Sequence, residues 1–332
     1  MSSPLVSVVI PTARGRRWLP TCIAALRAQT FRDFEVVVVD NGSSDGSAAW
    51  LAAQPDVRVI RNASNLGFAA ACNQGIRAGD APFVALLNDD AQPEPQWLEA
   101  LLRAMREPQA LVAGVQPAQV GACASLMLFA DRPGVVQSAG IAVDRAAIAW
   151  DRLRGYPADC AEAQRPREVF GASGGACLYR RAMLDAVGLF DERFFAYLED
   201  VDLAWRAQRA GWRCLYVPQA RVLHYTSATS GEGSAFKNRL LGRNKVWLAA
   251  KNARLRDAPI IALYDLAAVV YAGIVRGEWS HLAGRLEGMR RIQEFARRRA
   301  VGRHAPAFDP LVAPWRVPRR FDSATVTLEA AP

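Results

Sequence analysis

The triplet Asn88-Asp89-Asp90 is the part of the sequence whose residue types could most directly do chemistry. It follows a short apolar run that ends at Leu87. Hard divalent cations such as Mg²⁺ and Mn²⁺ prefer oxygen ligands and keep open positions for substrate phosphates. The same triplet would also suit an Asx turn that leads into a helix near Pro95. From these residues alone, a cation site and a turn are equally good interpretations.

A second acidic group, formed by Glu199, Asp200 and Asp202, stands at the start of a predicted helix. The helix dipole favours acidic residues at that end, so part of the group has a structural explanation. Aromatic and apolar neighbours predict that at least one of the carboxyl groups is partly buried, which suits a general base. His224 ends the apolar run Val222-Leu223, and taken alone it is better interpreted as a core histidine.

Alternating strands and helices are predicted for the first hundred residues, and they must position these groups. Valine-rich runs alternate with helix-length segments, which predicts βαβ units and a mostly parallel sheet. The runs are nearly continuous in valine, so we expect helices on both faces of the sheet. The predicted strands are Val6–Ile10 (ended by Pro11), Glu35–Asp40, Val57–Ile60 and Phe83–Leu87, and the predicted helices are Trp18–Gln29, Ser47–Gln54 and Phe68–Ala78.

The pattern is weaker beyond Ala110. Residues 118–168 are rich in Ala, Gly and Pro, and only loops and short strands are predicted there. The later predicted elements are a helix from about Arg181, the helix Val201–Ala210, the strand Cys214–Val217, the helices Lys237–Asn252 and Ile260–Val275, a basic helical stretch to Arg303 and an irregular tail from Phe308.

Polar residues stand at the carboxyl ends of all four strands predicted in the first hundred residues. Thr12 follows the first strand, Asp40 ends the second, and Asn62 and Asn65 follow the third, ahead of the triplet after the fourth. Ligands of open parallel sheets bind beyond these strand ends, where the strand order reverses. One such residue is more simply a helix cap or a turn former, whereas four polar ends in succession favour a ligand site.

Charge divides the chain of 332 residues into two parts. Residues 1–231 contain 23 Arg, no Lys and 23 acidic residues, whereas residues 232–332 contain 18 basic and 9 acidic residues. Without lysine, the first part has neither a lysine-dependent phosphate loop nor a Schiff-base lysine. Six scattered cysteines without a C-x-x-C pair argue against a zinc site or a disulfide framework. No signal peptide is visible in the sequence, so a cytoplasmic protein is expected.

An ordered series of motifs resembles the family 2 glycosyltransferases over roughly residues 5–250. The nucleotide-sugar half resembles the family at Pro11-Thr12, Val37–Asp45, Asn65–Ala69 with Asn73, and Leu86–Asp90, which stands where the family has its DxD-type metal motif. The acceptor half resembles it at Phe194–Asp202, Arg206, Ala210–Trp212 and His224. The resemblance is strongest to the bacterial rhamnosyltransferase-like branch, which builds surface polysaccharides and cell-wall linkers.

The resemblance implies an α/β GT-A fold with a nucleotide-sugar half (1–117) and an acceptor half (118–231). The charge distribution and the helical pattern place a helical basic region beyond it (232–332). The resemblance also implies Mg²⁺ or Mn²⁺ as cofactor and inversion at the anomeric carbon. The implied residues are Asp200 as catalytic base; Pro11, Thr12, Asp40, Asn65 and Gly67 for the donor nucleotide; Asp90, His224 and Asn88 for the metal; and Gly174, Gly175, Glu199 and Asp202 as acceptor-side support. Asn88 replaces the usual first Asp, so a lower metal affinity is expected.

The same resemblance favours dTDP-rhamnose as donor, with UDP-sugars next, and a saccharide or lipid-linked saccharide as acceptor. One alternative is a sugar-nucleotidyltransferase, but the glycine-rich turn and the phosphate-binding lysine of such enzymes are missing. The other is a basic nucleic-acid-binding protein, suggested by a pI of about 9.6. Residues 1–231 carry no net charge and many acidic side chains, which would repel a phosphodiester backbone, so no nucleic acid is expected as a partner.

The segment Ile260–Val275 has sixteen residues, includes Asp265, and is short of the roughly 20 residues needed to span a bilayer. It could pack on the catalytic domain or lie on anionic lipid, with the arginines that follow it contacting the headgroups. The second interpretation is preferred and predicts a peripheral protein on the inner face of the cell membrane. The apolar helical face is predicted to contain Ile260, Leu263, Tyr264, Ala267, Val270, Tyr271 and Ile274.

Overall fold

A computed structural model describes residues 3–225, 234–297, 302 and 304–311. The strands are β1 (Val6–Thr12), β2 (Phe34–Asn41), β3 (Val57–Asn62), β4 (Phe83–Leu87), β5 (Ala91–Pro93), β6 (Val120–Phe129), β7 (Arg132–Ser138), β8 (Ile141–Val143), β9 (Ala149–Asp151), β10 (Arg167–Val169), β11 (Ala176–Arg180) and β12 (Arg213–His224). The helices are α1 (Leu19–Arg27), α2 (Ser47–Ala52), α3 (Phe68–Arg77), α4 (Trp97–Arg106), α5 (Ala161–Gln164), α6 (Arg181–Val187), α7 (Glu199–Arg209), α8 (Ala235–Asn252), α9 (Ala258–Arg276), α10 (Ser280–Arg290) and α11 (Ile292–Ala296).

The central sheet has the strand order β10-β12-β6-β11-β4-β1-β2-β3, with β5 beside β12 and β7 beside β6. Strands β3, β2, β1 and β4 are parallel, which confirms the predicted βαβ arrangement. Strand β1 continues through Pro11 to Thr12, although Pro11 was predicted to end it. Proline is tolerated there because β4 pairs with β1 only as far as Val9, so the missing N–H leaves no gap in that ladder.

Strand β6 is the main element that the sequence analysis did not predict. All of its ten residues are buried, and it lies between β11 and β12 in the sheet. Its first six residues are Val-Gly-Ala-Cys-Ala-Ser, mostly small residues that show neither alternation nor a valine run, so periodicity could not identify it. Strand β12 is also longer than predicted, because a register shift between Val217 and Arg221 lets it continue to His224.

Strand pairing joins the triplet Asn88-Asp89-Asp90, called the metal-type motif below, to His224 at its Asp90 end. In the antiparallel pair of β5 and β12, His224 lies opposite Ala91, and the N–H of Tyr225 donates to the carbonyl oxygen of Asp90 at 3.0 Å. Strand β11 runs antiparallel between β4 and β6 and brings the loop before it to the carboxyl end of β4. This pairing, rather than any local motif, brings residues from both halves of the chain to one edge.

The helices after residue 234 share a hydrophobic cluster with α7. Phe194 and Trp205 are buried together with Trp247 of α8 and Phe295 of α11. The Trp247 and Phe295 rings stack at 4.4 Å between centroids, and Phe308 lies 5.3 Å from the Trp205 ring. Residues 298–301, 303 and 312–332, which include most of the predicted irregular tail, lie outside the described residues.

Helix α9 begins two residues earlier and ends one residue later than predicted. Within the described part of the chain, the segment Leu255–Val275 is the one helix that is long and apolar enough to cross a membrane by length and composition, at 21 residues. Most of its side chains are not buried in the protein. Its length therefore exceeds the sixteen residues predicted from the sequence.

Candidate active site

Thr12 and Asp89 form a buried hydrogen bond where β1 and β4 end. Thr12 Oγ1 donates to Asp89 Oδ2 at 2.5 Å. Burial raises the pKa of Asp89 to about 7, against the opposing effect of this hydrogen bond. Gly15 passes so close that a Cβ there would lie 2.2 Å from both Thr12 Oγ1 and Asp89 Oδ2. The loop after β1 therefore needs glycine at this position.

Asp40 is the next-to-last residue of β2 and lies in register with Thr12 on β1. Its Oδ1 accepts a hydrogen bond from the Ser43 N–H at 2.9 Å, and Arg61 Nε lies 3.7 Å from Oδ2. The carboxylate is buried, yet most of the Arg61 side chain is exposed, so this ion pair adds little stability. Pro11 precedes Thr12 in the same strand, so both predicted donor residues of β1 lie beside Asp40.

Asn41 organises the predicted donor loop, although the sequence analysis did not single it out. Its Nδ2 donates to Asn65 Oδ1 at 2.9 Å and to the Gly67 carbonyl oxygen at 3.1 Å, and its Oδ1 accepts from the Leu66 N–H at 3.0 Å. Asn65 Oδ1 also accepts from the Gly67 N–H at 2.9 Å. The amide of Asn65 thus shapes the loop, while Asn65 itself stays exposed.

Asn88, Asp90 and His224 converge, as the family resemblance implied. Asp90 Oδ1 and Asn88 Nδ2 each lie 3.0 Å from His224 Nε2. On the other side of the imidazole, Nδ1 lies 2.8 Å from Oε1 of the buried Gln137 on β7. An acceptor at Nδ1 favours the tautomer with its proton there, which leaves Nε2 as an acceptor for Asn88 Nδ2, beside the Asp90 carboxylate. Gln137 is a site residue that the sequence analysis missed.

The side chains at this edge fit a divalent cation whose remaining coordination positions are filled by substrate and water. Among the described residues there is no cluster of three or more His, Cys, Asp and Glu side chains that could hold a metal ion. Asp90, His224 and the amide of Asn88 offer a partial set, and Mg²⁺ and Mn²⁺ sites commonly use one or two carboxylates plus phosphates and water. A partial set at the carboxyl end of a parallel sheet is therefore compatible with a metal–diphosphate site.

The Gly174-Gly175 segment links this edge to the carboxyl group of Asp200. The Asn88 N–H donates to the carbonyl oxygen of Gly175 at 2.9 Å, and the Gly174 N–H donates to Asp200 Oδ2 at 3.1 Å. A Cβ on Gly175 would lie 2.8 Å from Met127, and one on Gly174 would lie 3.1 Å from the Phe68 ring. Two adjacent glycines thus allow the metal-type motif and the carboxyl to approach closely.

Glu199 and Asp200 are adjacent carboxyls with raised pKa values. Burial raises the pKa of Asp200 to about 6, while hydrogen bonds from the N–H groups of Gly174 and Val201 oppose the shift. Burial, followed by the charge of Asp200, raises the pKa of Glu199 well above its usual range. Glu199 Oε2 is buried without a hydrogen-bond partner. Of the two, Asp200 is therefore the carboxyl whose ionised form is stabilised by backbone N–H groups, as a general base requires.

Asp202 points into the protein, away from Asp200. It is fully buried and accepts hydrogen bonds from Arg206 Nε at 2.9 Å, Lys251 Nζ at 2.9 Å and Asn252 Nδ2 at 2.8 Å. These partners satisfy both carboxylate oxygens, so Asp202 fixes α7 against α8. Of the three acidic residues found by sequence reasoning, Asp200 is the one next to the glycine segment.

The sequence analysis missed Gly15, Asn41 and Gln137. Gly15 lies within the Pro-Thr-Ala-Arg-Gly stretch and Asn41 follows Asp40 directly, so both stand next to recognised residues. Gln137 lies in the region where only loops and short strands were predicted, and no local sequence signal points to it. The structure places it through the antiparallel pairing of β7 with β6.

The fold is that of the GT-A glycosyltransferases, a mostly parallel sheet flanked by helices, and an Asx-rich motif and a histidine lie at its carboxyl edge. The model described as "Glycosyl transferase family 2" matches residues 7–188. The chain belongs to this family. Its resemblance to the rhamnosyltransferase-like branch is likewise supported by curated relatives.

One relative is the N-acetylglucosaminyl-diphospho-decaprenol L-rhamnosyltransferase of Mycobacterium tuberculosis, 34% identical over 275 residues, with 77% of this chain and 88% of the relative covered. Another is the O-antigen biosynthesis protein RfbC of Myxococcus xanthus, 28% identical, with 68% of this chain but 18% of that protein covered. Among solved structures, the mannosyltransferase PcManGT from Pyrobaculum calidifontis, in complex with GDP-Man and Mn²⁺, has a TM-score of 0.53 at 16% identity and covers 87% of this chain and 88% of its own.

Proposed function

We propose that the protein is an inverting glycosyltransferase that moves a sugar from a nucleotide-diphosphate sugar to a saccharide or lipid-linked saccharide. The observation that carries this proposal is the glycine segment, whose two ends hydrogen-bond Asn88 of the metal-type motif and the Asp200 carboxylate. In an inverting transfer, the leaving diphosphate and the activated acceptor hydroxyl lie on opposite sides of one sugar ring. The metal-type motif would hold the diphosphate, and the Asp200 carboxylate would activate the hydroxyl. Family membership favours transfer over the nucleotidyltransferase and nucleic-acid-binding alternatives.

In this mechanism Asp200 accepts the proton of the acceptor hydroxyl as that oxygen attacks the anomeric carbon. Thr12 and Asp40 bind the nucleotide with Pro11, while Asn65 and Gly67 form the loop beside it. Asp90, His224 and Asn88 would hold Mg²⁺ or Mn²⁺, which when bound offsets charge developing on the diphosphate. A single displacement inverts configuration without a covalent intermediate.

For the donor we favour dTDP-rhamnose, with UDP-sugars next. The support is the Mycobacterium tuberculosis relative, whose name describes an L-rhamnosyltransferase. The same name describes an acceptor carried on a diphospho-decaprenol, which supports a lipid-linked saccharide as acceptor here. Surface polysaccharide or cell-wall synthesis is the corresponding process.

The experiment is a transfer assay with purified full-length protein, a panel of nucleotide-diphosphate sugars and a polyprenyl-diphosphate N-acetylglucosamine acceptor. Calorimetry of the same panel with Mn²⁺ and with chelator tests donor binding separately. We expect one nucleotide to bind in a Mn²⁺-dependent way and its sugar to be transferred with inversion. Retention of configuration would refute the mechanism, and donor binding unaffected by chelator would remove the metal from it.

We further place the protein on the cytoplasmic face of the cell membrane, through the surface of α9. Leu263, Leu266, Val270 and Ile274 fall at helical spacing and are 64%, 63%, 44% and 73% exposed. Of the predicted apolar face, Leu263, Val270 and Ile274 are on this side, whereas Ile260, Tyr264, Ala267 and Tyr271 are half-buried. Exposing a contiguous apolar stripe to water is unfavourable, so the stripe is expected to contact another surface. A helix of this length can lie in the membrane interface with its apolar side toward the lipid.

Asp265 of α9 faces the protein, whereas the charged residues of an ordinary amphipathic helix face water. Asp265 Oδ1 lies 2.5 Å from Lys245 Nζ of α8 and 3.1 Å from Arg285 Nη2 of α10. This pairing ties α9 to its neighbours and favours lying in the membrane surface over crossing it. Arg256 precedes α9 in the chain, Arg290 and Arg297 follow it, and all three are exposed; basic residues near anionic lipid contribute about 1 kcal/mol each.

Vesicle flotation tests this location. Full-length protein should float with phosphatidylcholine–phosphatidylglycerol vesicles at low salt and less with phosphatidylcholine alone. The double variant Leu263→Glu and Ile274→Glu should lose binding, whereas Tyr156→Glu, at another exposed apolar residue, should retain it. Protein that stays free of anionic vesicles would refute the membrane location, and self-association without vesicle binding would assign the stripe to a second copy. Arg298 and Arg299, also predicted to contribute, lie outside the described residues.

A further inference from the structure

The segment Phe194–Leu198, directly before the carboxyl pair of α7, has a strained backbone. Its φ angles are +66° at Phe195, +71° at Tyr197 and +67° at Leu198, in the region that favours glycine. Bulky side chains rarely adopt this conformation, and it persists only where surrounding contacts hold it. Three such residues within four positions need a specific restraint.

Asn244 of α8 supplies hydrogen bonds to three carbonyl groups of this segment. Its side chain is fully buried, and Nδ2 lies 3.0 Å from the oxygen of Phe194, 2.9 Å from that of Ala196 and 2.7 Å from that of Tyr197. The amide orientation is set by its other end, because Oδ1 accepts from Arg243 Nε at 3.0 Å. Two amide hydrogens shared among three acceptors restrain the turn from the side of α8.

The donor half contacts the same segment from the opposite side. The Ala69 N–H, in the first turn of α3, donates to the Phe195 carbonyl oxygen at 3.1 Å. A Cβ on Gly67 would lie 2.6 Å from the Phe195 ring, so the predicted donor loop and this segment are in close contact. At its far end, the Leu198 carbonyl oxygen accepts from the Asp202 N–H at 3.0 Å and so begins α7.

We propose that Asn244 is a positioning residue for glycosyl transfer, which holds the strained segment and thereby fixes Asp200 relative to the donor loop. The inference rests on the proposed function through the role given to Asp200. Without the amide donors the segment can relax toward ordinary backbone angles. The Asp202 side chain stays anchored to Arg206, Lys251 and Asn252, so the start of α7 before it, with Asp200, is the part that moves.

The test compares Asn244→Asp, which keeps the shape but loses both donors, with Asn244→Ala and with Lys245→Met. Lys245 is the matched control, because it is the next residue of α8 and is buried against Asp265 rather than this segment. The measurements are kcat, the donor KM, nucleotide affinity by calorimetry, melting temperature and amide exchange at residues 69, 196 and 202. Displacement of a reacting group by about 1 Å costs on the order of 10² in rate.

For both Asn244 variants we expect kcat to fall on the order of 10²-fold. Amide exchange at residues 69, 196 and 202 should be faster, and nucleotide affinity should be unchanged. Lys245→Met should lower the melting temperature while keeping kcat and exchange at wild-type values. Wild-type kcat in Asn244→Asp, or a loss that Lys245→Met reproduces, overturns the proposal. If Asp200→Asn retains turnover while both Asn244 variants lose it, the base assignment fails and the positioning role stands. If wild-type protein transfers no sugar, unchanged exchange in Asn244→Asp still overturns the proposal, and faster exchange supports it.

Discussion

At the scale of single residues, Asp200 differs from its neighbours in what surrounds its carboxylate. Two backbone N–H groups bind it and leave it beside the glycine segment, whereas Asp202 is saturated by Arg206, Lys251 and Asn252. Asp200→Asn keeps the shape but cannot accept a proton, so kcat should fall on the order of 10²–10⁴-fold. Nucleotide binding should be unchanged by calorimetry. Near-normal turnover on the acceptor would instead assign the base to Glu199 or another group.

The raised pKa of Asp200 predicts the pH dependence of transfer. A base must be ionised to accept a proton, so kcat/KM should be level above the pKa of about 6 and fall as the pH decreases below it. Because the pKa of the adjacent Glu199 is also raised, the apparent pKa measured from the profile belongs to the pair of carboxyl groups. A profile of kcat/KM from pH 5 to pH 8 measures this. The decrease should disappear from the residual activity of Asp200→Asn, and its persistence there would assign it to another group.

Asp90 and His224 should act together, and Asp40 separately. Alanine at Asp90 or His224 should weaken Mn²⁺-dependent binding of the nucleoside diphosphate, because both side chains face the same position 3.0 Å apart. Asp40→Ala should weaken binding of the bare nucleotide with or without Mn²⁺. Calorimetry in the presence of Mn²⁺ and of chelator separates the two effects. Equal losses for all three variants in chelator would contradict two distinct subsites.

At the scale of elements, the loop between β1 and α1 is shaped by the space around Gly15. A methyl group there would have to displace Thr12 Oγ1 and Asp89 Oδ2, whose hydrogen bond joins β1 to the end of β4. Gly15→Ala should therefore destabilise the protein by roughly 1–3 kcal/mol and weaken donor binding. Urea denaturation measures the first effect and calorimetry the second.

Gly134 provides the matched control for Gly15. A Cβ at Gly134 meets no atom within 4 Å, and its φ lies outside the left-handed region. Gly134→Ala should leave both stability and donor binding close to those of the wild type. A Gly15→Ala variant that is equally unaffected would show that the loop can move aside, and the tight approach would then have no functional consequence.

At the scale of the whole molecule, the helices after residue 234 pack on α7 through shared aromatic side chains. Phe295 is fully buried and packs against Trp247 and Phe194. Phe295→Ala should cost about 3–5 kcal/mol, the usual loss for a buried phenylalanine. If the two parts of the chain unfold together, this loss shifts a single denaturation transition seen by both tryptophan fluorescence and far-UV circular dichroism. Two separate transitions would instead support independent domains divided near residue 231.

The first four strands and three helices of the molecule were predicted to within a few residues, because each has a strong local pattern. Strand β6 was missed because its small residues carry no periodicity, and Gln137 on its partner β7 was missed with it. The motifs at the strand ends were found because polar residues interrupt valine runs at regular intervals. Local pattern therefore predicted the donor half well and the acceptor half poorly.

The sequence by itself determined the class of fold, the identity of the candidate ligands and acids, and the uneven distribution of charge, since these depend on residue types and short-range spacing. The family resemblance already grouped Asp90 with His224, but only the tertiary structure decided that Asp200 rather than Asp202 faces the glycine segment and that Asp265 turns inward. Each of these outcomes depends on strand pairing or helix packing between residues distant in the chain. Such pairings follow from the burial of whole faces, and no local stretch of sequence records them.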